Sequence, residues 1–336
     1  MSFVNEKLLR SASRGMRMIM RHIPLEVSRA VSARTLPIFI FHAVETHPKP
    51  YIKHLYDYHT PESFERVLDE ILRHFKPLED LSPEGIARAG ADRFLVTFDD
   101  GLRSSYEVAS PILERKGIPA IHFLITDFLG GGASSSMVEE KFKASLLMEL
   151  LKSRSERDQT DVAAILARMG YASAHPGQAL MSVRQADGAV FDAVAARLSV
   201  DLDAYFRADR PYITHQEATD LVRRGFMLGA HSCDHPRYWE ITLDEQVSQT
   251  RRSMRHMSES FDLPYRYFAF PYKNRGITPA FYERVRGEVD LFFTTSGWGS
   301  RMNDDQVFHR VGLDSSDSAL TALQCGWRPF PLSLVQ

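Results

Sequence analysis

Hydrophobic positions in the first third of the chain fall into short apolar runs separated by longer segments with helical spacing. Residues 35–44 form a compact run rich in β-branched and aromatic side chains, which predicts a buried first strand. After a polar loop, Thr60 and Pro61 are typical of a helix start. The apolar positions of this predicted helix share one face: Phe64, Val67, Leu68, Ile71, Leu72 and Phe75.

The next elements predict a βαβ unit. Apolar runs at 93–98 and 120–125 flank a helix that ends near residue 116, and this order makes the two strands parallel. In parallel α/β folds, functional groups gather beyond the carboxyl ends of the strands. Asp99 and Asp100 follow directly after the first of these runs, so they are candidate site residues.

The pattern changes between residues 130 and 211. A Gly- and Ser-rich stretch leads into several helical segments and no convincing strand, which predicts a helical insertion. Alternation resumes after it, with a helix at 214–224, a strand at 226–230, a helix opened by a capping box at 242–245, and strands at 267–270, 291–294 and 308–311. A chain of 336 residues therefore fits one large α/β domain plus an insertion.

Composition narrows the class of protein. Hydrophobic residues make up 44% and charged residues 25%, which is typical of a folded globular chain. The net charge of −2 gives no electrostatic footprint for nucleic acid. Two cysteines, Cys233 and Cys325, exclude a disulfide framework. Without a recognisable signal peptide or membrane span, we expect a cytoplasmic protein, or one at the inner face of the cell membrane.

The N-terminal arm, residues 1–34, contains a basic amphipathic segment. Arg10, Arg14, Arg17 and Arg21 recur at helical spacing opposite apolar side chains. Residues 8–21 are thus candidates for peripheral contact with an anionic membrane. The alternative is a helix packed on the main domain with its arginines in solvent.

Two pairs of residues could carry chemistry. Asp99 and Asp100 leave a strand and precede Gly101, so one carboxylate could bind a cation while the other handles protons. A strand-end turn with a capping aspartate explains this pattern equally well. His231 and His235 follow the strand at 226–230 with a spacing that allows both imidazoles to bind one metal ion. One core and one surface histidine is the alternative.

Both pairs lie at carboxyl ends of predicted parallel strands and would meet at one rim. Two histidines and a carboxylate form a three-ligand metal site with positions open for water and substrate. The same set occurs in iron oxygenases, so the ligand types alone do not choose the reaction.

The segments 97–101 and 231–235 resemble the first two motifs of the polysaccharide deacetylases, the group with the NodB homology domain, also called carbohydrate esterase family 4. Residues 41–45, 110–125 and 268–272 are similar to further conserved regions of that family. The resemblance implies a distorted, incomplete (β/α) barrel at 35–129 and 212–336, interrupted by an α-helical insertion at 130–211. It is nearest to the variant subgroup that modifies exopolysaccharides.

The resemblance also implies residue roles. One divalent metal ion, zinc before cobalt or nickel, would be bound by Asp100, His231 and His235, and Asp99 would be the general base. The backbone N–H of Tyr272, after Pro271, would hold the oxyanion. The usual arginine of the third motif is replaced by Ala269, and the usual C-terminal histidine motif is altered. The remaining candidates are His309 as general acid and His42 as a substrate contact.

The expected function is hydrolysis of N-acetyl groups on N-acetylhexosamine units of a polysaccharide, or of its lipid- or nucleotide-linked precursor. Two alternatives stay open. The same centre could remove O-acetyl groups, because the motifs define the water chemistry and not the acyl acceptor. The departures from the family pattern also allow a catalytically weak protein that binds glycans.

Overall fold

The architecture comes from a computed structural model that describes residues 36–47, 49–55, 57–131, 134–173, 175–295, 306–314, 319 and 323. Within this part of the chain, no helix is long and apolar enough to cross a membrane. The predicted arm, with its basic segment at 8–21, lies outside the described residues.

In the described residues, nine strands form one parallel sheet. They are β1 (Ile38–Phe41), β2 (Lys76–Pro77), β3 (Arg93–Phe98), β4 (Ala120–Leu124), β5 (Met227–Ala230), β6 (Tyr267–Ala269), β7 (Leu291–Thr294), β8 (Val307–His309) and β9 (Val311–Gly312). Their order is β8-β7-β6-β5-β4-β3-β1-β9, with β2 beside β3.

The sheet is nearly closed into a barrel by its last segment. β8 pairs with β7 at one edge, and β9 pairs with β1 at the other. Only Arg310 separates β8 from β9, so one short stretch of chain joins both edges. The sequence predicted a single strand at 308–311, and this is corrected to two short strands. The predicted (β/α) barrel is confirmed.

Eleven α-helices occur in the described residues. They are α1 (Pro61–His74), α2 (Pro83–Arg88), α3 (Ser110–Arg115), α4 (Glu140–Leu151), α5 (Glu156–Arg168), α6 (Pro176–Ser182), α7 (Ala189–Arg197), α8 (Leu202–Asp209), α9 (His215–Arg223), α10 (Leu243–Phe261) and α11 (Pro279–Val285). Before α3 the chain forms one π-helical turn, Ser105–Ala109, where the sequence predicted a continuous α-helix. Pro111 gives the physical reason, because it has no N–H to continue the α-helical ladder.

Side chains alternate between two cores along each strand. Ile38, Leu95, Ile121, Phe123 and Phe293 fill the barrel interior. Their neighbours in sequence point outward and pack under the surrounding helices. Helices α4 to α8 share a third core with the loops that follow β1 and β4. The helical segment is therefore packed against the rim of the barrel, while its status as a separate domain stays a prediction.

Several strands are shorter than predicted. β1 ends at Phe41, although the apolar run continues to residue 44. The backbone N–H of His42 donates instead to the Asp314 carboxylate, at 2.8 Å. A side chain distant in sequence thus ends the strand and redirects the chain at the rim.

Candidate metal and catalytic site

The candidate side chains follow directly after the last residues of the strands. His42 comes after β1, Asp99 after β3, His231 after β5 and Arg310 after β8. Backbone hydrogen bonds continue the ladder by one residue, for example from Asp99 N to Phe41 O at 3.0 Å. Because the strands are parallel, all four side chains meet at one rim of the barrel.

Asp100, His231 and His235 form a buried cluster whose ligand atoms lie within 4.8 Å of one another. Both Nε2 atoms face Asp100 Oδ1, at 3.2 Å for His231 and 3.1 Å for His235. The Nδ1 atoms are engaged elsewhere, His231 with Ala269 O at 2.9 Å and His235 with Glu139 Oε2 at 2.9 Å. Two available imidazole nitrogens and a carboxylate oxygen fit a divalent metal ion with open coordination positions.

Backbone strain is concentrated at this cluster. Four residues of the site occupy the left-handed region despite having a Cβ atom: Asp100 at φ 67°, Ser232 at 66°, His235 at 62° and Tyr272 at 57°. Such conformations cost about 1–3 kcal/mol each and persist where the surrounding structure enforces them. Two proposed ligands are thus held in place by costly turns, which is typical of a functional site and not of ordinary strand ends.

Asp99 is held by a buried arginine. Arg310 donates from Nη1 to Asp99 Oδ1 at 2.6 Å and from Nη2 to Oδ2 at 2.7 Å. Burial alone would raise the pKa of Asp99, but Arg310 and then His231 outweigh it and hold that pKa below its usual range. Asp99 is therefore ionised at neutral pH, as a general base must be.

His42 forms a second charged pair at the rim. Its Nδ1 lies 2.5 Å from Asp314 Oδ2, and the side chain is half-buried. Burial would lower the pKa of His42, but the Asp314 charge and hydrogen bond outweigh it and raise that pKa to about 9. The protonated His42 and the ionised Asp99 follow the paired strands β1 and β3. A proton donor and a proton acceptor thus lie at the same rim, which is the combination that acid–base chemistry requires.

Tyr272 lines the cavity that opens at this rim, whereas Pro271 is buried and does not line it. The Tyr272 ring lies 4.6 Å from the His235 ring, measured between centroids, and Lys141 Nζ is 4.9 Å from the Tyr272 ring centroid. The predicted position of Tyr272 beside the metal cluster agrees with these contacts, while its role in binding an oxyanion stays a prediction.

The structure does not bring His309 together with the other candidates. Its Nδ1 lies 2.6 Å from Thr294 Oγ1, and it does not line the cavity. Burial lowers the pKa of His309 to about 4, so the ring is neutral at physiological pH. The reason is strand alternation: Arg310 points into the barrel, so its neighbour His309 points away from it.

Three residues beside this site were missed by sequence reasoning: Glu139, Lys141 and Asp314. Glu139 and Lys141 lie at the start of α4 in the predicted insertion, where charged side chains are common and carry no signal by themselves. Asp314 is more than 270 residues from His42, and no local pattern joins them. Arg310 gave a weak signal, as a charged residue inside an apolar strand segment.

A cavity of about 580 Å³ opens above these residues. Its floor is the rim, with His42, Asp99, Asp100, His231 and His235. The insertion and the loop after β1 contribute the other lining residues, which are both apolar and charged and include Leu55, Glu140, Met181, Val183 and Arg184. The cavity is large enough for a sugar unit with its acyl substituent.

A parallel (β/α) barrel with a carboxylate, a histidine and a potential metal cluster at its carboxyl rim is compatible with metal-assisted hydrolysis. The model of the polysaccharide deacetylase family matches residues 195–280, a segment that contains His231, His235 and Tyr272. This match covers less than half of the chain, and it agrees with the resemblance of segments 97–101 and 231–235 to that family. A search of curated protein sequences gives no match.

Solved structures support the fold. The deacetylase PplD of Streptococcus pyogenes, solved in complex with acetate, is 17% identical and aligns over 88% of this chain and 100% of its own, with a TM-score of 0.54. IcaB from Ammonifex degensii is also 17% identical, over 89% and 99%, with a TM-score of 0.51. A polysaccharide deacetylase from Bacillus cereus is 13% identical, over 84% and 65%, with a TM-score of 0.50.

Proposed function

We propose that this chain is a metal-dependent deacetylase that removes N-acetyl groups from N-acetylhexosamine units of a polysaccharide or of its lipid- or nucleotide-linked precursor. The observation that carries the proposal is the meeting, at one rim, of the Asp100, His231 and His235 donors with an ionised Asp99 and a protonated His42. The match of residues 195–280 to the polysaccharide deacetylase model favours hydrolysis over the oxygenase chemistry that the same ligand types would allow.

Each residue then has a defined task. Asp100, His231 and His235 would hold the divalent ion, zinc in our proposal, which polarises the acyl carbonyl and acidifies a water molecule when bound. Asp99, fixed by Arg310, takes the proton of the attacking water. The backbone N–H of Tyr272 donates to the oxygen on which negative charge develops.

His42 takes the role of proton donor in this proposal, in place of His309. The leaving amine needs a proton, and a histidine whose pKa is about 9 carries one at neutral pH. Asp314 orients the ring through Nδ1 and stabilises the charged form. The position of His42 beside Asp99 puts acid and base next to each other, because β1 and β3 are paired strands.

The His42 assignment predicts a specific pH dependence. Since His42 donates only when protonated, kcat/KM should fall as pH rises through about 9. In Asp314→Asn the carboxylate that raises the pKa of His42 is lost. We therefore expect the fall of kcat/KM at high pH, called the alkaline limb of the profile, to move about one to three pH units lower. The measurement is kcat/KM between pH 6 and 10.5 at constant ionic strength.

Asp290→Asn serves as the matched control, because Asp290 pairs with Arg266 outside the site and its loss should leave the limb in place. An unchanged alkaline limb in both His42→Gln and Asp314→Asn would remove His42 as the acid.

The substrate class is tested with metal-loaded protein and N-acetylated chito-oligosaccharides. We expect stoichiometric release of acetate and free amine, abolished by chelation and restored by added zinc. Acetate released only from O-acetylated glycans, without free amine, would support the ester alternative. Tight glycan binding by metal-loaded protein without any acetate would support the weak-enzyme alternative and contradict our proposal.

A further inference from the structure

The helical insertion contributes a charged residue to the second coordination sphere of the proposed metal site. Glu139 directly precedes helix α4 and is buried. Its Oε2 accepts a hydrogen bond from His235 Nδ1 at 2.9 Å. This contact crosses from the insertion to a residue on the barrel rim, over a sequence separation of 96 residues.

The two proposed histidine ligands have different partners. His231 Nδ1 donates to a neutral backbone carbonyl of the barrel, Ala269 O. His235 Nδ1 donates to a carboxylate of the insertion. A carboxylate on the outer nitrogen fixes the tautomer and the ring orientation and makes the inner nitrogen a stronger donor to a metal ion. The barrel alone therefore orients one histidine, while the other depends on the insertion.

Lys141 holds the Glu139 carboxylate in this position. Its Nζ lies 2.9 Å from Glu139 Oε2 and 3.9 Å from Asp100 Oδ2. The same ammonium lies over the Tyr272 ring. Lys141 thereby offsets part of the negative charge that Glu139 adds near Asp100, so a buried carboxylate can stay ionised beside the cluster.

We propose that Glu139 is a positioning residue that acts through His235 to set the metal affinity of the site, with Lys141 as its counter-ion. The inference rests on the metal centre of the proposed function. The insertion would then contribute to metal binding as well as line the cavity. The site would reach its full metal affinity only when the start of α4 is packed on the rim.

The test is the zinc dissociation constant, measured by competition with a chromophoric chelator. For Glu139→Ala we expect binding weaker by about 10–100-fold. Glu139→Gln keeps an oxygen that can accept from Nδ1, so it should recover part of that loss. With cobalt in place of zinc, Glu139→Ala should also shift the visible absorption bands, because the ligand geometry changes.

Glu217→Gln is the matched control. Glu217 is also a shielded carboxylate near a helix start, paired with Arg103, and it does not contact the cluster, so its zinc affinity should equal that of the wild type. Equal zinc affinities of the wild type and both Glu139 variants would overturn the inference, as would an equal loss of affinity in Glu217→Gln. If Glu139→Ala does not fold, Glu139→Gln decides, because an affinity equal to that of the wild type would still contradict the inference. A wild type without zinc affinity would instead refute the proposed metal centre.

Discussion

Replacing Asp99 by asparagine is expected to lower kcat by about 10²–10⁴-fold, the usual contribution of a general base, while the metal content stays at the wild-type level. Asparagine keeps the size and one oxygen but cannot accept the proton of the attacking water. Asp99 is not among the three donors that would hold the ion. The measurement combines acetate release with metal analysis of the same sample.

A comparison with Asp100→Asn distinguishes loss of the general base from loss of the metal ion. Asp100→Asn should lose metal and activity together, because Asp100 Oδ1 faces both imidazoles. Asp290→Asn removes a paired carboxylate elsewhere and should change neither. Full activity of metal-loaded Asp99→Asn would refute the base assignment. Assays are run well below the melting temperature, since the variant also weakens the Arg310 pair.

The positions of the main site residues could be predicted because strand ends are visible in the sequence. Apolar runs that stop at Asp99 and before His231 mark the ends of β3 and β5. Parallel strands align their carboxyl ends, so residues far apart in sequence must meet. No measurement was needed to place Asp99 and Asp100 near His231 and His235, and the structure brings these side chains together.

The residues that support the site, Glu139 and Asp314, could not be predicted from strand ends. Glu139 belongs to an insertion whose docking on the rim is decided by three-dimensional packing and not by a strand pattern. Asp314 follows β9 and reaches His42 only because the last strands close the barrel. His309 was predicted from the altered C-terminal motif, and it is the direct neighbour of Arg310, the residue that faces the barrel interior.

The backbone conformation of the site was also hidden from sequence reasoning. Gly101 marks a turn, but nothing in the residue types signals that Asp100, His235 and Tyr272 adopt the left-handed region. These residues pay a conformational cost that only the finished fold can offset. The backbone conformations that these residue types prefer differ from those that the fold imposes on them. Such differences are expected at functional sites.

Arg310→Met is expected to destabilise the protein by about 3–5 kcal/mol, because it leaves the buried Asp99 charge without its partner. Arg310 is fully buried, contacts Thr97 Oγ1 at 3.1 Å, and lies over the Phe123 and Phe293 rings. Methionine retains much of the packing on those rings. The loss is measured as the free energy of unfolding in denaturant, with Asp290→Asn as a control that should stay near the wild type.

The pH dependence and the double variant separate this charge effect from lost packing. In the wild type the folded-state pKa of Asp99 is depressed, so its contribution to stability is present above the unfolded pKa and is lost as pH falls through the folded value. Without Arg310, burial raises the pKa of Asp99, so the sign of the pH dependence reverses. The variant should therefore gain stability relative to the wild type as pH falls from 7.

Asp99→Asn combined with Arg310→Met should be more stable than Arg310→Met alone at pH 7, because no buried charge is left unpaired. Purely additive losses in this cycle would mean that the pair contributes packing and not electrostatic stabilisation of Asp99.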